Sequence, residues 1–519
     1  MSLNLAHFLY LTAREHPDKT AVIMDDYRFS YQDVLTNARR VASLLQAKGI
    51  RRGDKVALMI PNSPHFPIIY YGILLAGAVA VPVNCLLKSH EIQYYLEDSD
   101  VRLFFTWIDF LEESIKAVDA TLTCQHLVVV SLPDDRKAPV AGESFNRLLE
   151  EASPDFDMVE TMPDDTAVIL YTSGTTGNPK GAELTHFNMF FNAYYTMHRV
   201  LYATANDVAL GVLPLFHSFG QTCVQNALFM AGGSMSLVPR FEAQRVLDVI
   251  QRDRVSIVAM VPTMYFWLLH EKRNGTYDLS SVRMAVSGGS ALPVDTMVQF
   301  EREFGVRILE GYGLSETSPV ATFNIIERES KPGSIGLPIW GCEMRICRND
   351  GTFAEVGEVG EIVMRGHNVM KGYYNKQAAT EEAFEGGWFH TGDLARMDDE
   401  GYFYIVDRKK DLIIRSGMNV YPREVEEILY GHPAVLEAAV VGVPDPARGE
   451  EVKAFVCLKS GSGVSADELQ MYCRERMAKF KCPKTFEFLP ELPKGPTGKI
   501  LKRHLRDGVI SANSLSQRA

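Results

Sequence analysis

Short apolar runs closed by glycine, proline or aspartate recur from residue 20 to about residue 320, and stretches of helical period separate them. Residues 21–24 and 28–30 read as strands around an Asp25-Asp26 turn. Ser30 then caps a helix over 31–48, with Asp33 at its third position and Gly49 at its end, and 55–60 follows as a strand. The same alternation returns in 255–261 and in 282–286, the latter leading through Gly288-Gly289 to a helix after Pro293. Alternation of this kind predicts α/β layers. From about 331 to 406 short strands are separated by glycines, as in 357–364 and 401–406, which predicts a small antiparallel sheet or barrel. Beyond Arg408, strands over 435–443, 451–458 and 485–489 with helices over 422–430 and 465–477 predict a compact α+β unit. Pro422 suits a first helical position, and Val425, Ile428 and Leu429 form one apolar stripe. The charged run Asp407-Arg-Lys-Lys-Asp411 between the two units reads as a hinge or, taken alone, as a solvated turn.

Residues 56–87 carry no formal charge and are long enough to span a bilayer. Pro61, Pro64, Pro67, Gly72, Gly77 and Pro82 instead divide them into a strand, a buried helix and a second strand. The first residues have no basic region and soon meet Arg14 and Glu15, so they read as an amphipathic helix and not as a signal peptide. The polar C-terminus has no peroxisomal or prenylation signal.

At 519 residues the chain calls for more than one domain, and 46% hydrophobic content suits sizeable cores. A net charge of −12 with only short basic runs argues against nucleic acid and against anionic membranes as general partners. The 8 cysteines are scattered, without zinc or dithiol spacing, and read as reduced thiols of a cytoplasmic protein.

Tyr171-Thr-Ser-Gly-Thr-Thr-Gly-Asn-Pro-Lys-Gly181 follows the apolar run 166–170 and packs hydroxyls, glycines and one ammonium into a single loop. Its glycines let backbone N–H groups converge on an anion, which suits phosphate. It is not a Walker loop, because Lys180 follows Pro179 and precedes Gly181 and Ala182. Farther on come Leu213-Pro-Leu-Phe-His-Ser218, Gly311-Tyr-Gly-Leu-Ser-Glu-Thr317, Thr391-Gly-Asp393, Asp407-Arg-Lys-Lys-Asp411, Ser416-Gly417 and Pro493-Lys-Gly-Pro-Thr-Gly-Lys499. A dinucleotide fingerprint fails at the second of these, since Glu316 stands where a third glycine belongs.

In this order and over nearly the whole length, these motifs resemble the adenylate-forming superfamily of acyl-CoA synthetases, peptide-synthetase adenylation domains and luciferase. Asn368-Val-Met-Lys-Gly-Tyr-Tyr374, Asp407-Arg-Lys-Lys-Asp-Leu-Ile-Ile414 and Asn419-Val-Tyr-Pro-Arg-Glu-Val-Glu426 resemble bacterial long-chain fatty acid CoA ligases in particular. The fold expected from pattern and resemblance together is α/β. A large N-terminal adenylation domain over 1–407 has layered α/β subdomains and a small β-barrel-like subdomain, and a small mobile α+β domain follows over 408–519. The expected reaction joins a medium- or long-chain fatty acid to CoA through an acyl-adenylate, with release of pyrophosphate and then AMP. An aryl or other carboxylic acid, or a carrier protein as acceptor, is the alternative. ATP and CoA are the implied co-substrates and Mg²⁺ the implied metal; homodimerisation and peripheral membrane contact stay open.

The resemblance assigns the ATP phosphates to Thr172, Ser173, Gly174, Thr175, Thr176, Gly177 and Lys180, and extends the nucleotide site to Gly288, Gly289 and Gly311. It implies that Tyr312 packs on adenine, Ser315 donates to the α-phosphate, Glu316 holds Mg²⁺, and Asp393 and Arg408 hold the ribose. Alone, Glu316 is an ordinary exposed acid and Asp393 a turn residue. Lys499 is similar to the family's catalytic lysine, Gly417 to the glycine of the CoA passage, and Lys410 to the hinge on which the C-terminal domain presents two faces in turn. His217 is a packed or capping histidine, or by resemblance a residue beside the acyl carboxylate. Residues 212–230 and 285–292 would then line the acyl pocket, and their lack of a fixed carboxylate favours an apolar acid.

Overall fold

Helix Tyr31–Ala47 begins where Ser30 Oγ accepts from the Asp33 N–H and Asp33 returns the bond to the Ser30 N–H, the reciprocal cap expected from the sequence. Along the chain it follows strands Thr20–Met24 and Tyr27–Ser30 and precedes Lys55–Met59. The computed structural model describes residues 2–132, 139–172, 178–272, 275–329, 331–459, 461–495, 500–506 and 508. The uncharged stretch resolves into strand Lys55–Met59, the wholly buried helix His65–Leu75 and strand Val79–Pro82. No helix among the described residues is long and apolar enough to cross a membrane.

Two large mixed sheets form the first part of the chain. The nine-stranded sheet runs, edge to edge, Leu337–Pro338, Val320–Phe323, Ile308–Gly313, Met284–Ser287, Ile257–Met260, Val208–Gly211, Ser234–Leu237, Thr20–Met24, Tyr27–Ser30. Its central strands pair in parallel, and antiparallel strands close both edges. The eight-stranded sheet is built around Thr166–Thr172, Val79–Pro82, Lys55–Met59 and Val101–Trp107. Parallel strands covered on both faces explain the near-continuous apolar runs in the sequence.

Strands Cys342–Cys347, Gly360–Gly366, Phe389–Met397 and Phe403–Arg408 make the small antiparallel sheet expected over 331–406. It is open, without barrel closure. The last unit has strands Ile413–Arg415, Met418–Val420, Val435–Asp445, Gly449–Leu458 and Thr485–Phe488, with helices Pro422–Tyr430 and Ala466–Arg476 and its own apolar core. The short hairpin of Ile413–Arg415 and Met418–Val420 was not foreseen, because three residues are too few to show alternation. The described strands of this sheet all follow Arg408, and none joins the three earlier sheets.

Helices Tyr31–Ala47 and His65–Leu75 meet so closely at Gly72 that an added Cβ would lie 2.6 Å from Val41 Cβ and 2.8 Å from the Ala38 carbonyl oxygen. Gly72→Ala should therefore force the helices apart and cost about 1–3 kcal/mol, read as a lowered unfolding midpoint. An unchanged midpoint would show that the contact is not tight.

Candidate active site

Loops after the parallel strands are where an α/β sheet receives a ligand. Four such loops of the nine-stranded sheet, after Gly211, Met260 and Ser287 and around Gly313, face the ends of strands Val79–Pro82 and Thr166–Thr172 of the other large sheet across one cleft of about 2680 Å³. The four-stranded sheet contributes Asp393 and Arg408, and the C-terminal unit closes the cleft with Arg423, Glu427, Gly495 and the segment 500–506.

Two buried carboxylates organise the polar part. Glu316, in the short turn Ser315–Thr317, is 9% exposed, and its Oε1 accepts from Thr172 Oγ1 at 3.0 Å and from the Tyr373 hydroxyl at 3.1 Å. Thr172 ends strand Thr166–Thr172 and pairs with Lys180, which begins the return strand Lys180–Thr185. The two ends of the Tyr171–Gly181 motif thus lie on paired antiparallel strands. Lys180 Nζ stands 5.2 Å from the Tyr373 ring centroid. Ser173, Gly174, Thr175, Thr176 and Gly177 lie outside the described residues.

Asp393 is the second carboxylate, 4% exposed, with Oδ2 accepting from the Tyr312 hydroxyl at 2.6 Å and Oδ1 at 3.2 Å from Arg408 Nε. Burial, reinforced by the Asp393 charge, raises the Tyr312 hydroxyl well above its ordinary value, so the phenol stays a donor. Gly311 precedes Tyr312 because a Cβ there would overlap the Phe323 ring on the neighbouring strand. Gly288 and Gly289 follow strand Met284–Ser287 and line the same cleft as Ser315.

His217 faces the cleft, and its Nδ1 accepts from the Phe219 N–H at 3.3 Å. Phe219, Val261, Phe266, Trp267, Leu292 and Leu314 add apolar side chains to the lining, to which the same segments also bring His270, Asp295 and Gln299. Of the two stretches expected to line an acyl pocket, 213–214, 216–220 and 288–292 do face the cleft, whereas Val224, Leu228 and Phe229 are packed in the core. Lys410 sits in the exposed turn after strand Phe403–Arg408 and reaches the cleft. Gly417, with φ of 79°, occupies the turn between Ile413–Arg415 and Met418–Val420 and does not line it. Lys499 lies outside the described residues; Gly495 and Ile500 on either side of that segment both border the cleft.

Several site residues were given no individual role from the sequence. Tyr373 belongs to the Asn368–Tyr374 motif but had no role until it met Glu316 and Lys180. Asp407, buried, accepts from the Arg408 N–H at 2.7 Å and the Arg423 N–H at 2.8 Å, while the Arg423 guanidinium donates to the Ile405 carbonyl at 2.8 Å. These bonds fasten helix Pro422–Tyr430 to strand Phe403–Arg408. Arg506 pairs with Asp411 at 2.9 Å, and Lys502 with Glu426 at 2.7 Å. Glu310 is buried beside the cleft, with Oε1 accepting from the Leu292 N–H at 3.0 Å and Oε2 unpartnered among the described residues.

A family model described as AMP-binding enzyme matches residues 9–374, and one described as AMP-binding enzyme C-terminal domain matches 424–499. The chain belongs to the AMP-binding enzyme family. This AMP-binding enzyme is 40% identical over 521 residues to a long-chain-fatty-acid–CoA ligase of Bacillus subtilis (strain 168), covering 95% of this chain and 92% of the relative. It is 37% identical over 504 residues to a feruloyl-CoA synthase of an Amycolatopsis species, covering 95% and 96%. Its fold matches the crystal structure of the anthranilate CoA ligase AuaEII in complex with anthranoyl-AMP with a TM-score of 0.92 and 30% identity, covering 99% of this chain and 98% of that one.

Burial pushes the Glu310 carboxyl of the AMP-binding enzyme up to about 7, with Arg423 opposing the rise and Glu427 adding to it. A carboxyl raised in the folded state binds its proton more tightly there than when unfolded. Its stabilisation is complete below the unfolded value and is lost as pH rises through the folded one. Between about pH 5 and about pH 8 wild type should lose up to roughly 3 kcal/mol relative to Glu310→Gln, which cannot ionise. Melting curves of both proteins at the two pH values check this; a difference independent of pH would contradict it.

Proposed function

We propose that this AMP-forming acid–thiol ligase activates a medium- or long-chain fatty acid and passes the acyl group to CoA. The observation that carries the reading is that one cleft brings the buried Glu316 and Asp393 together with His217 and the apolar side chains of Phe219, Val261, Phe266, Trp267, Leu292 and Leu314. In the first half-reaction a carboxylate oxygen bonds to the α-phosphorus of ATP and the bond to the β-phosphate oxygen breaks, giving acyl-adenylate and pyrophosphate. In the second, the CoA thiolate bonds to the acyl carbon and AMP leaves.

Asp393 would accept from both ribose hydroxyls, held in place by Tyr312 and Arg408, while Tyr312 borders the adenine. The Thr172–Lys180 hairpin would bind the β- and γ-phosphates through Thr172, Lys180 and the intervening residues, and Ser315 would donate to the α-phosphate. Glu316 is a single acid, and no cluster of three or more His, Cys, Asp or Glu able to hold a metal occurs among the described residues. That donor set fits Mg²⁺, which is bound through one or two carboxylates together with substrate phosphates. When bound, the ion neutralises phosphate charge. Thr172 and Tyr373, both donating to Glu316, fix the carboxylate that would hold it.

The fatty acid reading is supported by the 40% identical B. subtilis ligase and by the absence of Asp, Glu, Lys and Arg from 212–230 and 285–292. An aryl acid is the second reading, favoured by the fold match to the anthranilate ligase and by the feruloyl-CoA synthase. Pyrophosphate release with fatty or aryl acids, with and without CoA, tests the proposal. Acid-dependent pyrophosphate without CoA and acid-dependent thioester with it are expected. Adenylation followed by loading of a carrier protein but not of CoA would contradict the acceptor.

Lys499 is assigned to the first half-reaction alone, as the cation between the incoming carboxylate and the α-phosphate. Lys499→Ala should slow adenylation by about 10²–10³-fold, the range for loss of one oriented electrostatic donor, and leave thioester formation from supplied acyl-adenylate near normal. Normal adenylation with a failed second step would move Lys499 to the thioester-forming face.

A further inference from the structure

Helix Ser89–Asp98 buries Ile92, Tyr95 and Leu96 and brings Tyr94 and Asp98, one turn apart, against the Tyr171–Gly181 motif. The Tyr94 hydroxyl donates to the Pro179 carbonyl at 2.9 Å, directly before Lys180. Asp98 Oδ2 accepts from the Tyr171 hydroxyl at 2.9 Å, directly before Thr172. The Tyr171 ring stacks on that of Tyr95, with centroids 4.0 Å apart. One helix thus fastens the motif at both ends, at the residues adjoining Thr172 and Lys180. Burial, reinforced by the Asp98 charge, raises the Tyr171 hydroxyl well above its ordinary value, so the phenol stays a donor.

Asp98 also reaches a third segment. Its Oδ1 pairs with Lys376 Nζ at 2.6 Å, and its side chain is only 8% exposed. Three residues before Lys376, Tyr373 donates to Glu316, and strand Gly372–Tyr373 pairs with Lys180–Thr185. Tyr95 and Tyr171 line the cleft together with Thr172, Pro179 and Lys180, whereas Tyr94 and Asp98 do not. Any effect of those two on a ligand therefore passes through the residues they hold. Lysine is a point charge on a flexible stem, and its pull on a phosphate falls with distance, so its worth depends on where its backbone is fixed. We propose that Tyr94 and Asp98 are positioning residues for the triphosphate, setting where Thr172 and Lys180 stand to receive the β- and γ-phosphates. The inference rests on the phosphate assignment made under the ligase reading.

AMP lacks the β- and γ-phosphates, which separates positioning from general support of the fold. Equilibrium binding of ATP with Mg²⁺, and separately of AMP, should be measured for wild type, Tyr94→Phe, Asp98→Ala, Asp98→Asn and Lys180→Ala, with melting curves showing which are folded. ATP should weaken about three- to tenfold in Tyr94→Phe and about tenfold or more in Asp98→Ala, the ranges for loss of a neutral and of charge-assisted hydrogen bonds, while AMP stays within about twofold. Asp98→Asn keeps an acceptor for Tyr171 and should recover part of the ATP affinity. A parallel loss for ATP and AMP overturns the proposal and leaves Tyr94 and Asp98 as supports of the fold alone. ATP binding that drops in Lys180→Ala but holds in Tyr94→Phe and Asp98→Ala also overturns it. If Asp98→Ala does not fold, Tyr94→Phe decides. Wild-type affinity for ATP in Lys180→Ala would instead remove the phosphate assignment itself, and the proposal with it.

Discussion

A buried carboxylate has to be paired, and Asp393 is paired from two directions. Tyr312 reaches it from the nine-stranded sheet, and Arg408 reaches it from the strand that leads into the C-terminal unit. Asp393 itself stands on the four-stranded sheet, opposite Arg408 in register. One acid therefore joins two sheets and the junction to the last unit at the floor of the cleft. Asp407, next to Arg408, extends the junction by accepting from the Arg423 N–H. The Arg423 contacts bind the C-terminal unit to this junction, while the bond between Tyr312 and Asp393 lies wholly within the earlier sheets.

The cleft divides into chemically distinct regions. Around Glu316 and Asp393 the donors are hydroxyls, an ammonium and a guanidinium, suited to a ribose and to phosphate charge. Phe219, Val261, Phe266, Trp267, Leu292 and Leu314 add aromatic and aliphatic side chains to the lining. Relatives of this chain are named for acids as different as a long-chain fatty acid and ferulate.

Much of the fold was legible because its signals are local. The Ser30 and Asp33 cap, the proline and glycine breaks in 56–87 and Pro422 at a helix start each act within a few residues, and each element formed where expected. The open four-stranded sheet differs from the barrel-like expectation because closure depends on strand number and register, which alternation does not encode. The return strand Lys180–Thr185 was hidden by the low strand propensity of Lys180 and Gly181, and the hairpin around Gly417 by strands of three residues each.

At the site, the motifs named Thr172, Lys180, Tyr312, Glu316, Asp393 and Arg408, and all six line one cleft. Their mutual bonds join residues up to 144 positions apart, as between Thr172 and Glu316, and no spacing rule carries that information. Glu310, Tyr373 and Arg423 matter only through such long-range contacts.

The most direct test of the central claim is the equilibrium affinity of AMP for wild type and for Asp393→Asn, with melting curves showing that both are folded. If Asp393 accepts from both ribose hydroxyls, removing its charge should weaken AMP at least about tenfold, as expected for loss of charge-assisted hydrogen bonds. An unchanged affinity in a folded variant would mean that Asp393 serves only to tie the sheets together, and that the nucleotide lies elsewhere.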